Sequence, residues 1–244
     1  GLGWPRAAVV LAVRGADPSL AECLRRLLAQ DYPDYEVHLI IDSELDPAWE
    51  LLRPLLAEEA AGRVHVRLLA TKYDTCSLKV SALAQAIGGL DASVGVVALI
   101  DADVVPYAHW LRDLVRPLRD PRLGATTGVR WYLPETANWG SLARCLWNAA
   151  ACTQMLAFRI PWGGSMAFRA ELFRDTNLLD QWKRSFCEDT VSYGVLQRHG
   201  LRVGFVPAAT MVNPERIALK SCFTFIRRQL LTVRLHHPRW PLVR

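Results

Sequence analysis

The sequence predicts an α/β fold: a mainly parallel central sheet with helices on both faces. Three observations predict it. Apolar strand-like runs alternate with amphipathic helix-like stretches through the first part of the chain. The strand runs are apolar without interruption, which marks strands covered on both sides, as in parallel sheets. No linker-like segment or internal repeat divides the 244 residues, so they read as one domain over 1–244. Right-handed crossovers between parallel strands then leave little topological freedom.

Each element follows in order. AAVVLAV (Ala7–Val13) is the first strand. In the helix that follows, Ser19 and Glu22 have capping-box spacing, and Leu20, Cys23, Leu24, Leu27 and Leu28 form one apolar stripe. YEVHLII (Tyr35–Ile41) is the second strand and ends at Asp42. A helix runs from about Pro47 to Ala60, and Val64–Leu69 is the third strand. Ser77–Gly88 is a helix stopped by a Gly-Gly pair, and the fourth strand, Val94–Ile100, runs into Asp101. After Leu133 the pattern changes. ANWGSLARCLWNAAACTQMLAF is a long helix with Leu142, Cys145, Leu146 and Ala149 on one face. Ile160–Phe173 contains a glycine turn, a short strand and a helix start. FCEDTVSYGVLQRHG is a helix opening at Glu188-Asp189, LRVGFVP is a late strand, and LKSCFTFIRRQLLTVRLHH is a terminal helix with Arg227, Arg228 and Arg234.

Composition bounds the function. Apolar residues make up 51% and charged residues 22%, which excludes a disordered chain. Net charge is 29 − 24 = +5. It suits acidic partners such as phosphorylated substrates, anionic lipid or nucleic acid, and it suits a plain solvated surface equally well. The six cysteines form no CxxC pair and lie mostly in apolar runs, so they read as reduced, buried small hydrophobes of a cytosolic compartment. No signal peptide is present, and no apolar run approaches the length of a membrane span. Of nine tryptophans, those at 131, 139, 147, 162, 182 and 240 fall in the second half among Leu, Tyr and Arg, a mixture compatible with lipid headgroups or with ordinary core packing.

In open parallel sheets ligands bind beyond the carboxyl ends of the strands. Arg14, Asp42, Asp101 and Asp103 all sit there. Two ionised carboxylates about 5 Å apart repel by roughly 3 kcal/mol at an effective dielectric near 20. A divalent cation relieves that repulsion, and oxygen-only ligands suit Mg2+ or Mn2+ completed by water and substrate phosphates. The plainer alternative is that Asp101 and Asp103 start a turn. Asp42 reads as a strand-end cap or a ligand contact. Glu188 and Asp189 read as acids favoured at a helix start, or Asp189 as a general base. Arg227 and Arg228 are either a solvated face or phosphate contacts. His236-His237 read as a helix-end pair meeting their own C-terminal carbonyls.

Taken together, RGADPSLAECLRRLLAQDYPDYEVHLIID, DPA at 46–48, SLKVSAL, LIDADVVP, GGSMAFRAELF and CEDTVSYGVLQRHGLRVGFVP resemble the family 2-type inverting glycosyltransferases of the GT-A fold, and within them the ceramide glucosyltransferase branch. The resemblance implies a Rossmann-like nucleotide-binding half over about 1–105 and an acceptor-side half over about 106–244. It implies that Asp42 lies near the uracil or ribose of a UDP-sugar donor and Lys79 beside the nucleotide. Asp101 and Asp103 would hold Mg2+ or Mn2+. Asp189 would take the proton of the acceptor hydroxyl. Gly163, Gly164 and Ser165, with Glu188, would shape the acceptor side. Arg14 and Arg228 join the donor contacts. The family's Q/R-x-x-R-W is altered: Arg228–Thr232 keeps the first position but reads Leu231-Thr232 for Arg-Trp, and His236–Trp240 offers H-x-x-R-W farther on. Arg227 or Arg234 would then compensate.

The expected reaction is transfer of a hexose, glucose first, to a lipid hydroxyl such as that of ceramide, at the cytoplasmic face of a membrane and with no nucleic-acid partner. The absent transmembrane helices leave either a domain excised from a longer membrane protein or a chain attached at the interface. Other readings are a glycan-forming family 2 transferase, a sugar-phosphate nucleotidyltransferase and a non-catalytic anion-binding domain. The short RGADPS loop, with its single glycine, counts against the nucleotidyltransferase.

Overall fold

The apolar runs fold into a seven-stranded sheet of order β3-β2-β1-β4-β7-β5-β8. The computed structural model describes residues 3–59, 62–136, 138–237 and 240–243. In chain order the elements are β1 Ala7–Val13, α1 Leu20–Leu28, β2 Tyr35–Ile41, α2 Ala48–Glu59, β3 Val64–Leu68, α3 Leu78–Gly88 and β4 Val96–Ile100. They continue with α4 Trp110–Val115, β5 Leu123–Thr127, β6 Arg130–Tyr132, α5 Trp139–Phe158, β7 Ser165–Arg169, α6 Glu171–Asp175, α7 Leu178–Trp182, α8 Glu188–Arg198, β8 Arg202–Phe205, β9 Met211–Asn213, α9 Leu219–His236 and α10 Trp240–Val243.

β1 to β4 pair in parallel, as their continuous apolar character predicts. β7 enters antiparallel between β4 and β5, so the sheet is mainly, not wholly, parallel. The order reverses between β1 and β4, which opens a crevice at their carboxyl ends. Both faces are covered. α1, α2 and α4 bury Leu24, Leu52 and Trp110 on one side. α3 and α6 to α8 bury Leu83, Leu172 and Trp182 on the other. Each such side chain contributes about 1.5–3 kcal/mol. All six cysteines are free, and no described helix is long and apolar enough to cross a membrane.

Local expectations needed correction. Ser19 forms no capping box: its backbone is already helical (φ −82°, ψ −14°) and its side chain caps nothing. Its N–H goes to Asp17 Oδ1 at 2.8 Å, and Glu22 turns to Arg25 and Arg26. β4 starts at Val96, later than the apolar run, because the Gly95 and Val96 N–H groups both bond to Arg6 O, at 2.9 and 3.2 Å. Ser77 does cap α3, accepting from Val80 N at 3.3 Å. That capped first turn carries Lys79.

Candidate active site

Asp101 follows directly on Ile100, which pairs with Ser165 of β7. The antiparallel entry of β7 therefore lays Gly164 against Asp101, whose N–H reaches Gly164 O at 3.4 Å. A Cβ on Gly164 would stand 2.4 Å from Asp101 Oδ2, and one on Gly163 would stand 2.1 Å from Glu188 Oε1. Only glycine lets the main chain pass this close to both carboxylates.

Lys79 Nζ lies 2.7 Å from Asp101 Oδ1 and 2.7 Å from Glu188 Oε1. The contact to Glu188 is an ion pair without hydrogen-bond alignment. Burial opposes charge on Lys79, but Asp101 and Glu188 outweigh it and hold the ammonium well above its usual range. Burial likewise works against Asp101, and Lys79 and Arg130 overcome it, lowering its pKa. Glu188 is 2% exposed. Burial pushes its pKa up, Asp189 adds to this and Lys79 opposes it.

Arg130, on β6, closes the arrangement. Its guanidinium grips Asp103 with two bonds of 2.8 and 2.7 Å and reaches Asp101 Oδ2 at 3.0 Å. It lies over the Trp162 ring, 4.8 Å from the centroid. The two carboxylates thus converge on one cation instead of turning apart. This donor set, hard oxygens aimed at one point, fits Mg2+ or Mn2+. The Asp103 side chain is 39% exposed, which leaves space for further oxygen ligands.

Beside these groups lies a cavity of about 420 Å³. Lys79, Asp101, Arg130, Glu188, Asp189 and Arg228 form its polar side; Trp147, Met155, Trp162, Phe225 and Val233 form an apolar wall from α5, α9 and the loop before β7. Asp189 is held at the start of α8. Its Oδ2 accepts Gly163 N–H at 3.2 Å and its Oδ1 accepts from the Thr190 N–H and hydroxyl.

The chain matches the family described as glycosyltransferase like family 2 over residues 5–240. It belongs to that family. A ceramide glucosyltransferase of Pyricularia oryzae is 41% identical over 59 residues, which cover 23% of this chain and 12% of that protein. The mannosyltransferase PcManGT from Pyrobaculum calidifontis, solved with GDP-Man and Mn2+, superposes with a TM-score of 0.71 at 20% identity, covering 94% of this chain and 62% of that one. Glucosyl-3-phosphoglycerate synthase from Mycobacterium tuberculosis, solved with Mn2+, UDP and phosphoglyceric acid, superposes at 0.60 with 16% identity, covering 94% and 77%. The chain thus spans less than two thirds of the first two relatives. The architecture is that of the GT-A glycosyltransferases.

In this chain the sequence-predicted residues do not all meet. Arg14 and Asp42 pair with each other at 3.4 Å, at the ends of β1 and β2, and neither lines the cavity. Ser165 is fully buried beneath the site. It accepts Trp110 Nε1–H at 2.9 Å and donates to Ala209 O at 3.3 Å, so it pins the sheet and does not shape the pocket wall. Arg228 and Gln229 line the cavity, whereas exposed Arg227 and Arg234 do not. At the position of the motif's tryptophan, the Thr232 hydroxyl bonds back to Gln229 O at 2.7 Å. Pro238 and Arg239 of H-x-x-R-W lie outside the described residues. His237 ends α9 as its C-cap, with its backbone N–H bonded to Val233 O at 2.9 Å, while both imidazoles reach other segments. His236 Nε2 accepts Phe186 N–H at 3.1 Å; His237 stacks on Tyr193 and meets Phe158 O at the end of α5. Arg130 was not anticipated; its only signal is a lone arginine between apolar Val129 and Trp131.

Proposed function

We propose that this chain is a metal-dependent, inverting hexosyltransferase that moves glucose from a UDP-sugar to the hydroxyl of a lipid such as ceramide, at the cytoplasmic face of a membrane. The observation that carries this reading is the join between the cavity's charged side and an apolar wall built from α5 and α9. The outer faces of these two helices expose Trp139 (81%), Leu146 (75%) and Phe223 (67%), with Leu230, Leu231 and Leu235 also exposed. α9 carries Lys220, Arg227, Arg228 and Arg234 and no acidic residue; α5 has no acidic residue either. An apolar, basic surface of this kind suits an anionic bilayer, where each Lys or Arg contributes about 1 kcal/mol.

In this reading Asp101 and Asp103 hold Mg2+ or Mn2+, which supplies positive charge against the diphosphate when bound. Lys79 and Arg228 face the phosphate oxygens. The Arg14–Asp42 pair flanks the nucleoside. Asp189 Oδ2 accepts the proton of the acceptor hydroxyl as its oxygen bonds to the anomeric carbon. The bond from that carbon to the diphosphate breaks on the opposite side, UDP leaves and the configuration inverts. Gly163 N–H and Thr190 hold Asp189 in place, so it meets the acceptor pre-oriented.

Anionic vesicles with and without ceramide, incubated with radiolabelled UDP-glucose and Mn2+, test the proposal. Labelled glycolipid and released UDP that both require ceramide and Mn2+ support it. Consumption of GDP-mannose but not UDP-glucose overturns the donor assignment. Transfer to phosphoglyceric acid but not to ceramide overturns the lipid acceptor.

A further inference from the structure

Arg130 holds the very oxygens that a dication would need. Asp103 spends both carboxylate oxygens on its guanidinium, and Asp101 spends Oδ2 there and Oδ1 on Lys79. A cation shared by the pair must approach oxygens that already accept from Arg130, beside a guanidinium that repels it. Resting on the nucleotide-sugar reading above, we propose that Arg130 is a positioning residue that competes with the metal for Asp101 and Asp103 and is drawn off by the donor's diphosphate, so that metal and nucleotide bind interdependently.

Three features support this. First, the charge count in the site is nearly closed: Lys79, Arg130 and Arg228 face Asp101, Asp103, Glu188 and Asp189. A dication alone would sit beside a guanidinium it repels, and a diphosphate alone would meet unrelieved carboxylates. Both together add almost no net charge. Second, Arg130 has somewhere to go. Its side chain is 15% exposed and lines the cavity, so it stays within the site when it leaves the carboxylates. Its backbone is anchored, with Asn148 Nδ2 donating to Arg130 O at 3.0 Å. The ring of Trp162 supports the guanidinium as a planar platform. Third, Arg130 Nε is buried and donates to no group among the described residues. Its present seat therefore leaves a donor unused that a phosphate oxygen can satisfy, and a guanidinium fork fits phosphate as well as it fits carboxylate.

The test measures Mn2+ binding by electron paramagnetic resonance, so it does not depend on turnover. In the wild-type chain, UDP should tighten Mn2+ binding by about tenfold or more, and Mn2+ should tighten UDP binding by the same factor. Arg130→Met should bind Mn2+ alone about tenfold more tightly than wild type and should lose most of that coupling. Arg130→Lys keeps the charge but loses the fork and should fall between them. Folding of each variant is checked by circular dichroism and melting. A folded Arg130→Met that binds Mn2+ alone no better than wild type overturns the proposal. Should Arg130→Met fail to fold, wild-type binding of Mn2+ and UDP without mutual enhancement overturns it instead. Failure of the donor reading looks different: neither UDP nor GDP then binds at any Mn2+ concentration, while the effect of Arg130→Met on Mn2+ alone still decides the competition.

Discussion

β2 and α9 are both rich in apolar residues, yet the strand buries all seven of its positions and the helix buries only Cys222. In the first half of the chain most apolar side chains fill the space between the sheet and α1 to α4, with Leu45 and Val105 the large exposed exceptions. In the second half the long helices α5 and α9 pack on each other and still leave large apolar side chains facing outward. The difference teaches that apolar content has two separate uses here. One stabilises the sheet that carries Asp101 and Asp103. The other stays exposed on α5 and α9, the surface that the proposed function assigns to a bilayer. The proposed chemistry divides in the same way, because the carboxylates proposed to hold the metal follow β4 and the proposed base starts α8.

The largest expected effect tests that division of labour. Asp189→Asn should lower kcat by about 10²–10⁴ while leaving UDP affinity in Mn2+ within about twofold. Asp103→Asn should instead abolish the stabilisation of the chain by UDP with Mn2+, read as a melting shift. Wild-type transfer by Asp189→Asn would move the base elsewhere, with buried Glu188 the next carboxylate in the cavity. A second contrast compares apolar positions. Leu39→Ala, fully buried in β2, should cost about 2–5 kcal/mol of stability. The pair Leu146→Ser and Phe223→Ser should move stability by about 1 kcal/mol or less, yet weaken cosedimentation with anionic vesicles by about tenfold. Equal losses of stability would show that the α5–α9 face is covered within the protein and would remove the argument for a membrane.

Much of this division was legible in the sequence, and the reasons are local. β1, β2 and β4 are short apolar runs between turn signals, and Asp42 and Asp101 mark where two of them end. Lys79, Glu188 and Asp189 sit at helix starts, where capping and charge leave a pattern. What could not be read depends on residues distant in sequence. β5 contains Gly124 because a Cβ there would stand 2.4 Å from Leu196 Cδ2 of α8; small residues chosen for contact with a later helix weaken the strand signal. Arg130 gains its place only when β6 pairs with β9 and β7 enters antiparallel beside β4. Ser165 belongs to the glycine stretch by sequence, but strand alternation turns it inward to Trp110. The Ser19–Glu22 spacing misled because nearby Arg25 and Arg26 compete for the glutamate.

The smallest expected effect separates the halves by pH. His38 on β2 and His236 on α9 both have pKa values lowered by burial; Glu36 opposes the shift at His38, and Asp189 opposes it at His236. In the unfolded chain both return towards about 6.5. As pH falls below that value the unfolded state takes up protons first, so stability is complete above it and declines as the pH drops towards the folded values. The loss sets in on the acid side of that value, where each histidine should lower the melting temperature by only a few degrees. The two differ in what else they touch. His38 bonds to Glu36 and Arg67 on the sheet's α3 side, whereas protonating His236 removes the acceptor for Phe186 N–H, three residues before Asp189. His38→Gln should therefore flatten the acid limb of the melting profile and leave that of kcat intact. His236→Gln, whose amide oxygen can still accept from Phe186, should flatten both. An unchanged acid limb of kcat in folded His236→Gln would show that this contact does not carry protonation to the base.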